Sequence, residues 1–176
     1  TVSAEGGSIG EVPTDKMTYR INPHTGDKVS LLGYGCMRWP VRKKADGSGE
    51  EVDQDTVNEL VDYAIAHGVN WSETATGIAL KRHPRDKFFI STKLSNFGHY
   101  GQGSFESSKA MYQKSMRDLQ VDYIDYYILH GVGMGGVEDV EKRFLDNGVL
   151  DFLLEERKAG RIRNLEIGRA SCRERV

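Results

Sequence analysis

AHGVNWSETATGIALKRHPRDKFFISTK, residues 66–93, decides how the chain is read. Its first residues close a helix, with Gly68 as the stop. KFFIST (87–92), with Phe88, Phe89 and Ile90 in succession, predicts a fully buried strand. Between them, Ser72 can cap a second helix running to about Arg82, with Ile78 and Ala79 as its apolar surface and His83-Pro84-Arg85-Asp86 as its end. Only Val69, Asn70 and Trp71 then separate the two helices. A strand of ~5 residues spans ~17 Å, whereas three residues reach at most ~10 Å. Two readings stay open: a plain helix hairpin, whose loops are commonly about 2–8 residues, or a chain that has lost one strand and its loop.

Upstream of this stretch, Val57, Leu60, Val61, Ala64 and Ile65 share one helical face, and Asp53 or Asp55 can cap that helix. MTYRI and KVSLL flank the turn residues Asn22 to Asp27, so residues 17–32 read as a hairpin. LLGYGCM continues as a short buried strand, and residues 40–52 read as a polar loop broken at Asp46-Gly47 and Ser48-Gly49. Downstream, a Gly-rich loop (98–103) leads to a helix from Ser104 with the stripe Phe105, Tyr112, Met116 and Leu119. DYIDYYIL (122–129) is the next strand and residues 131–136 the next loop. A charged segment (137–147) follows, then a helix at 149–159 ended by Gly160, and RIRNL opens a last strand. Buried strands alternating with amphipathic helices define an α/β fold with a parallel sheet. A complete (β/α)8 TIM barrel takes ~250 residues; this chain would supply about half of one, the N-terminal half, a partial barrel preceded by a β-hairpin.

The 176 residues are 38% hydrophobic and 28% charged, the balance of a globular domain. A net charge of −2 gives no electrostatic reason to bind nucleic acid or a membrane surface, and no apolar run is long enough to span a bilayer. Two cysteines, Cys36 and Cys172, make neither a disulfide framework nor a metal-binding pattern. Residues 1–16 read as a linker or the remnant of an N-terminal segment, residues 17–165 as the partial barrel. The cytoplasm is the default compartment, and an export signal ahead of residue 1 is compatible with the sequence. The last eleven residues, EIGRASCRERV (166–176), have no hydrophobic period and resemble the translation of a short-read sequencing adapter; they are expected to be a non-native tail.

Lys93 and His130 each follow a buried strand at its C-terminal end. Ligands sit at those ends in parallel α/β folds. Singly, each is equally well a snorkelling lysine or a satisfied core-edge histidine; together, on one rim, they read as a site. Residues 131–136, GVGMGG, match G-x-G-x-x-G after a strand. The acids of VEDVE that follow stand where a phosphate would sit, so a loop over a site is preferred to a dinucleotide-binding turn. Gly33, Gly35, Cys36, Met37 and Arg38 form a strand-to-loop turn where glycine permits close approach to a ligand. Cys36 is equally a small buried hydrophobe.

These residues resemble the aldo-keto reductases. The likeness lies in LLGYGCMRWP, SETATGIALKRHPRDKFFISTKL, SMRDLQVDYIDYYILH and LLEERKAGRIRNL, in order, over about residues 17–165. It implies a (β/α)8 barrel closed below by the hairpin, and hydride transfer between NADP(H) and a small-molecule carbonyl or alcohol. It implies four catalytic residues. Lys93 in FFISTK matches the family lysine and His130 in YYILH the family histidine. The tyrosine protonates the carbonyl oxygen, the lysine lowers its pKa, the aspartate holds the lysine, and the histidine donates to the carbonyl. Aspartate and tyrosine belong to a motif of the type DTAxxYG, which in relatives lies between "GVN" and "SE"; no residue here is matched to either, and Tyr100, Tyr126 and Tyr127 sit on other elements. Cofactor contact is carried over to Gly35, Cys36, Met37 and Arg38. GYGCMR resembles bacterial members with a C-terminal ferredoxin-like segment, which would add iron–sulfur clusters beyond this chain.

The expectation is therefore an incomplete reductase, inactive as it stands because the strand and loop with the aspartate and tyrosine are missing after Asn70. Two alternatives are a non-catalytic barrel subunit that binds nucleotide or protein partners, and a Rossmann-type binder using residues 131–136. Poor solubility follows from the open sheet edges of a half barrel.

Overall fold

The computed structural model describes residues 16–36, 38–73 and 77–168. Its centre is a four-stranded parallel sheet in the order β5 (Trp71–Glu73), β6 (Phe89–Leu94), β7 (Ile124–His130), β8 (Ile162–Gly168). Strand order follows chain order, as successive right-handed crossovers require. Two antiparallel hairpins precede it: β1 (Tyr19–Ile21) with β2 (Lys28–Ser30), and β3 (Val41–Lys43) with β4 (Glu50–Val52). The helices are α1 (Gln54–Ala66), α2 (Gly77–Leu80), α3 (Phe105–Leu119), α4 (Val137–Val140), which runs on into a wider π-type turn over Glu141–Leu145, and α5 (Val149–Lys158).

The stretch at 66–93 folds in a third way. There is a strand between α1 and the next helix, and it is Trp71-Ser72-Glu73, paired with Phe89 to Ser91. The error lay in starting a helix at Ser72. The described part of the next helix is Gly77–Leu80, and the place of the expected helix start at Ser72 is taken by β5, whose three residues span about 10 Å at ~3.3 Å per residue. Both the helix hairpin and the loss of a whole strand are thereby corrected. Gly77 allows a close approach: a Cβ there would lie 2.2 Å from the Asp118 carbonyl oxygen and 2.8 Å from Leu119, so α2 seats this residue on the end of α3.

The longer helices form where their period and caps predict. Asp53 accepts the Thr56 N–H at the start of α1 and Ser104 the Ser107 N–H at the start of α3. Val57 and Val61 of α1, Tyr112 and Leu119 of α3, and Val149 and Leu153 of α5 cover one face of the sheet, where Ile90, Leu94, Tyr127 and Leu129 meet them. Burying each such side chain contributes about 1.5–3 kcal/mol. Asp125, also buried, ties three strands together: it accepts from Arg85 at 2.5 Å, from Arg163 at 2.8 Å and from the Ile90 N–H at 2.9 Å.

The β1–β2 hairpin closes the N-terminal end of the sheet, as expected. Asn70 accepts from the Ser30 N–H at 2.7 Å and donates to the Lys28 carbonyl at 2.9 Å. Tyr126 reaches down to Asp27 and Thr25. Two expectations change here. Residues 31–36 of LLGYGCM do not form a buried strand: Leu31 and Leu32 are 67% and 62% exposed, and among the described residues of this stretch only Tyr34 makes a bridge, because a strand forms only where its backbone has a partner along its length. The loop at 40–52 contains the β3–β4 hairpin, turned at Asp46-Gly47 and held by Arg42–Glu51 at 3.0 Å. Its strands VRK and EEV are exposed and carry no apolar alternation to reveal them. β8 runs on through Gly168, three residues past the expected boundary at Leu165. The rest of the expected tail, the N-terminal segment to residue 15 and Met37 lie outside the described residues.

Candidate active site

Lys93 and His130 stand on adjacent strands at the C-terminal rim. Lys93 is in register with Ile128, two residues before His130. Residues two apart on a strand share a face, so Lys93 and His130 lie on the same face, one pleat repeat apart, with Cα atoms about 8 Å from each other by strand spacing and rise. Both are half-buried. β6 extends to Leu94, so Lys93 lies within the strand rather than after it. β5 ends at Glu73, in register with Ser91, two residues before Lys93.

Three residues that the sequence did not single out hold this rim. Ser95 Oγ is 2.7 Å from His130 Nδ1. Asn96 is fully buried and donates to Ser108 Oγ and to the Arg143 carbonyl, both at 3.0 Å. Arg143, read as part of a charged segment, is 1% exposed. Its guanidinium donates to the His130 carbonyl at 2.8 Å, to the Asn96 carbonyl at 3.2 Å and to Asn96 Oδ1 at 3.1 Å, and pairs with Asp139 at 2.9 Å. The rings of Phe97 and Phe144 lie 4.6 and 4.7 Å from it. Five donors in a planar fork suit arginine to bridge several carbonyls at once. The only sequence signal for its burial is the apolar Phe144 beside it.

The loop at 131–136 turns through positive φ at Gly131, Gly133 and Gly136. A Cβ on Gly131 would press against Phe97 and Met134 at 2.9 Å, and one on Gly135 against Asp139 at 2.6 Å. The helix that follows has four residues with Glu138 and Asp139 in its first turn. A dinucleotide-binding turn needs a helix N-terminus that attracts phosphate; this one presents two acids. The Rossmann-type reading therefore fails on geometry.

At the expected cofactor turn, Leu32, Gly33, Tyr34, Gly35, Arg38 and Trp39 line a shallow cavity of about 330 Å³. A Cβ on Gly35 would meet nothing within 4 Å and Arg38 is exposed, so backbone and cation are both open to a ligand. Cys36 is turned away: it is buried and its thiol donates to the Tyr34 carbonyl at 3.4 Å. Among the described residues, no group of three or more His, Cys, Asp or Glu could hold a metal ion, and no helix is long and apolar enough to cross a membrane.

The tyrosines are elsewhere. Tyr126 is bound by the N-terminal hairpin, and burial with Asp27 beside it pushes its phenol up. Tyr127 is on the helix-facing side, its hydroxyl buried without a hydrogen-bond partner and its phenol pushed well up by burial. Tyr100 is 70% exposed on the loop after β6.

Two strand ends bearing Lys and His on one face of a parallel sheet, above an N-terminal hairpin, define an α/β protein with a candidate site at the C-terminal rim. The chain belongs to the Aldo/keto reductase family, whose pattern matches residues 31–174. It is 26% identical to Protein tas of Escherichia coli over 189 aligned positions, covering 86% of this chain and 51% of that protein. It is 30% identical to aldo-keto reductase family 1 member A1 of Rattus norvegicus over 122 positions, covering 61% of this chain and 32% of that protein. Among solved structures, the holo form of an aldo-keto reductase from Bacillus halodurans superposes with a TM-score of 0.64 at 27% identity, over 86% of this chain and 50% of that one. The fold is also that of a Bombyx mori aldo-keto reductase in complex with NADP, with a TM-score of 0.56 at 18% identity, over 86% of this chain and 50% of that one. The chain thus spans about half, or less, of the length of these relatives.

β5 ends at Glu73, three residues after Asn70, and the sequence continues as Thr74-Ala75, so an acidic residue precedes Thr-Ala in the chain.

Proposed function

We propose that this chain is part of a reductase that transfers a hydride between NADP(H) and a carbonyl or alcohol substrate, built as the N-terminal portion of a (β/α)8 barrel. The observation that carries this reading is the pairing of Lys93 and His130 on one face of adjacent strand ends. Bound NADP(H) would supply or accept the hydride. Gly35 and Arg38, an open backbone and an exposed cation, fit one edge of such an anionic cofactor. The remainder of the cofactor has no cradle among the described residues. His130 would donate a hydrogen bond to the carbonyl oxygen and orient it. The Lys93 ammonium would favour ionisation of a neighbouring acid.

The general acid is what the chain lacks. No tyrosine follows Glu73-Thr74-Ala75 at the family spacing: Thr76, Gly77 and Ile78 come next. As it stands the chain is inactive, now for want of a tyrosine rather than of a strand. The last residues, reduced to 169–176 beyond β8, are proposed to be non-native, and iron–sulfur clusters have no support within this chain. The exposed Ile167 on β8 marks a face that a further helix would cover in a longer barrel.

The test is carbonyl-dependent NADPH oxidation. The 176-residue chain is expected to match its own Lys93→Met variant. A rate clearly above that control overturns the inactivity. The parent gene, read without interruption across residue 70 and beyond residue 165, is expected to encode an active reductase that loses turnover on Lys93→Met. An active parent indifferent to that change sinks the assignment of Lys93.

A further inference from the structure

We infer that Ser95 is a positioning residue that fixes the tautomer of His130, its hydroxyl donating to Nδ1 so that the ring proton is carried on Nε2. This rests on the proposed role of His130 as the donor to a carbonyl oxygen. The geometry begins with the 2.7 Å contact between Ser95 Oγ and His130 Nδ1. A neutral imidazole has one donor and one acceptor nitrogen, and the bond made by one determines the role of the other. That contact alone is compatible with either direction of donation.

Two observations choose the direction and make it permanent. The ring is the sole partner of the Ser95 hydroxyl among the described residues, so donation to Nδ1 is the use the fold offers for its proton. Neither partner can drift. The Ser95 carbonyl accepts the Phe97 N–H at 2.9 Å, and the adjacent Asn96 is locked by Arg143 and Ser108. Phe97 then packs edge-on against the imidazole, with ring centroids 5.3 Å apart. A loop residue from β6 and a strand end from β7 are thus joined through one guanidinium, and the histidine is preorganised before any substrate arrives.

The experiment is a long-range proton–nitrogen NMR correlation of the histidine rings in the 176-residue chain, with His130 assigned by its loss in His130→Gln. The wild type is expected to show protonated Nε2 and bare Nδ1 for His130. Ser95→Thr, which keeps the hydroxyl, retains the pattern. Ser95→Ala loses it and gives a mixture of tautomers. A proton on Nδ1 in the wild type, or an unchanged pattern in Ser95→Ala, overturns the inference. If Ser95→Ala does not fold, the wild-type and Ser95→Thr spectra still decide it. Turnover is not read, so an inactive parent would fail the proposed function alone and leave the tautomer standing or falling on its own spectrum.

Discussion

Replacing Arg143 by methionine removes one buried cation and leaves its partners in place. The side chain is 1% exposed, so water cannot take over its hydrogen bonds without local opening. The His130 carbonyl, held at 2.8 Å, and the Asn96 carbonyl, held at 3.2 Å, lose their donor. Each buried acceptor left unmade costs about 1–3 kcal/mol. Asp139 is partly exposed and rehydrates, so its share is nearer the ~0–1 kcal/mol of a surface pair. Methionine keeps van der Waals and sulfur contact with Phe97 and Phe144, which offsets part of the lost cation–π attraction. Relief of guanidinium desolvation offsets a little more. The expected net loss is about 3 kcal/mol, a large fraction of the ~5–15 kcal/mol that holds a domain folded. With a urea slope of ~2 kcal/mol/M, the midpoint should fall by ~1.5 M. Arg143→Lys is expected to lose nearly as much, because a point charge cannot reach carbonyls on two loops at once. Tryptophan fluorescence in urea measures all three proteins. A midpoint for Arg143→Met within ~0.3 M of wild type would refute the view that this guanidinium joins the two strand ends.

Other consequences are as direct. Gly77→Ala forces a methyl to 2.2 Å from the Asp118 carbonyl, backbone that cannot yield, and should cost about 1–3 kcal/mol in urea unfolding; Gly98→Ala, where nothing lies within 4 Å, is the control. Alkali should unfold the protein. Burial raises the phenols of Tyr34, Tyr126 and Tyr127, and burial together with Glu156 raises that of Tyr112. The unfolded chain loses those protons near pH ~10 while the folded one keeps them. Stability is then full below that pH and falls as pH rises above it; an unchanged melting temperature from pH 8 to 11 would contradict this. Glu156 works at the other end. Its hydrogen bond with Arg161 holds its carboxyl below the usual range, so its share of stability is present above the ordinary glutamate pKa and is lost as pH falls through the depressed one. Glu156→Gln should flatten that acid limb in a pH series of melting temperatures.

The legible parts of the fold are those where one physical signal dominates. β6 and β7 are largely buried on both faces, so their sequences are rich in consecutive apolar and aromatic residues, and α1, α3 and α5 are covered on one face, so theirs are periodic. β5 has neither mark. It is three residues long, and Ser72 and Glu73 are as good a helix start as a strand end. What makes it a strand is its neighbour: the N–H of Phe89 reaches back to the Asn70 carbonyl at 2.7 Å and opens the parallel ladder. β3 and β4 are hidden for a related reason, being held by a turn and an ion pair rather than a core. Lys93 and His130 were legible because strand ends carry chemistry in parallel sheets. Arg143 was not, because burial of an arginine depends on carbonyls contributed from residues far along the chain.

This division bears on what the chain retains. The residues that touch a substrate are few and replaceable, whereas the frame that aims them is distributed. Here Asn96, Arg143, Phe97 and Ser95 lock the rim around His130, and Asp125 ties β6, β7 and β8 beneath it. None of these depends on a tyrosine after β5. On the proposed reading, lack of the acid would remove turnover without unpinning the histidine. A half-site of this kind should still orient a carbonyl oxygen, so the chemical defect and the structural one are separable. The tautomer of His130 reports the frame, and NADPH oxidation reports the acid. The proposed reading expects a chain that keeps the first while lacking the second.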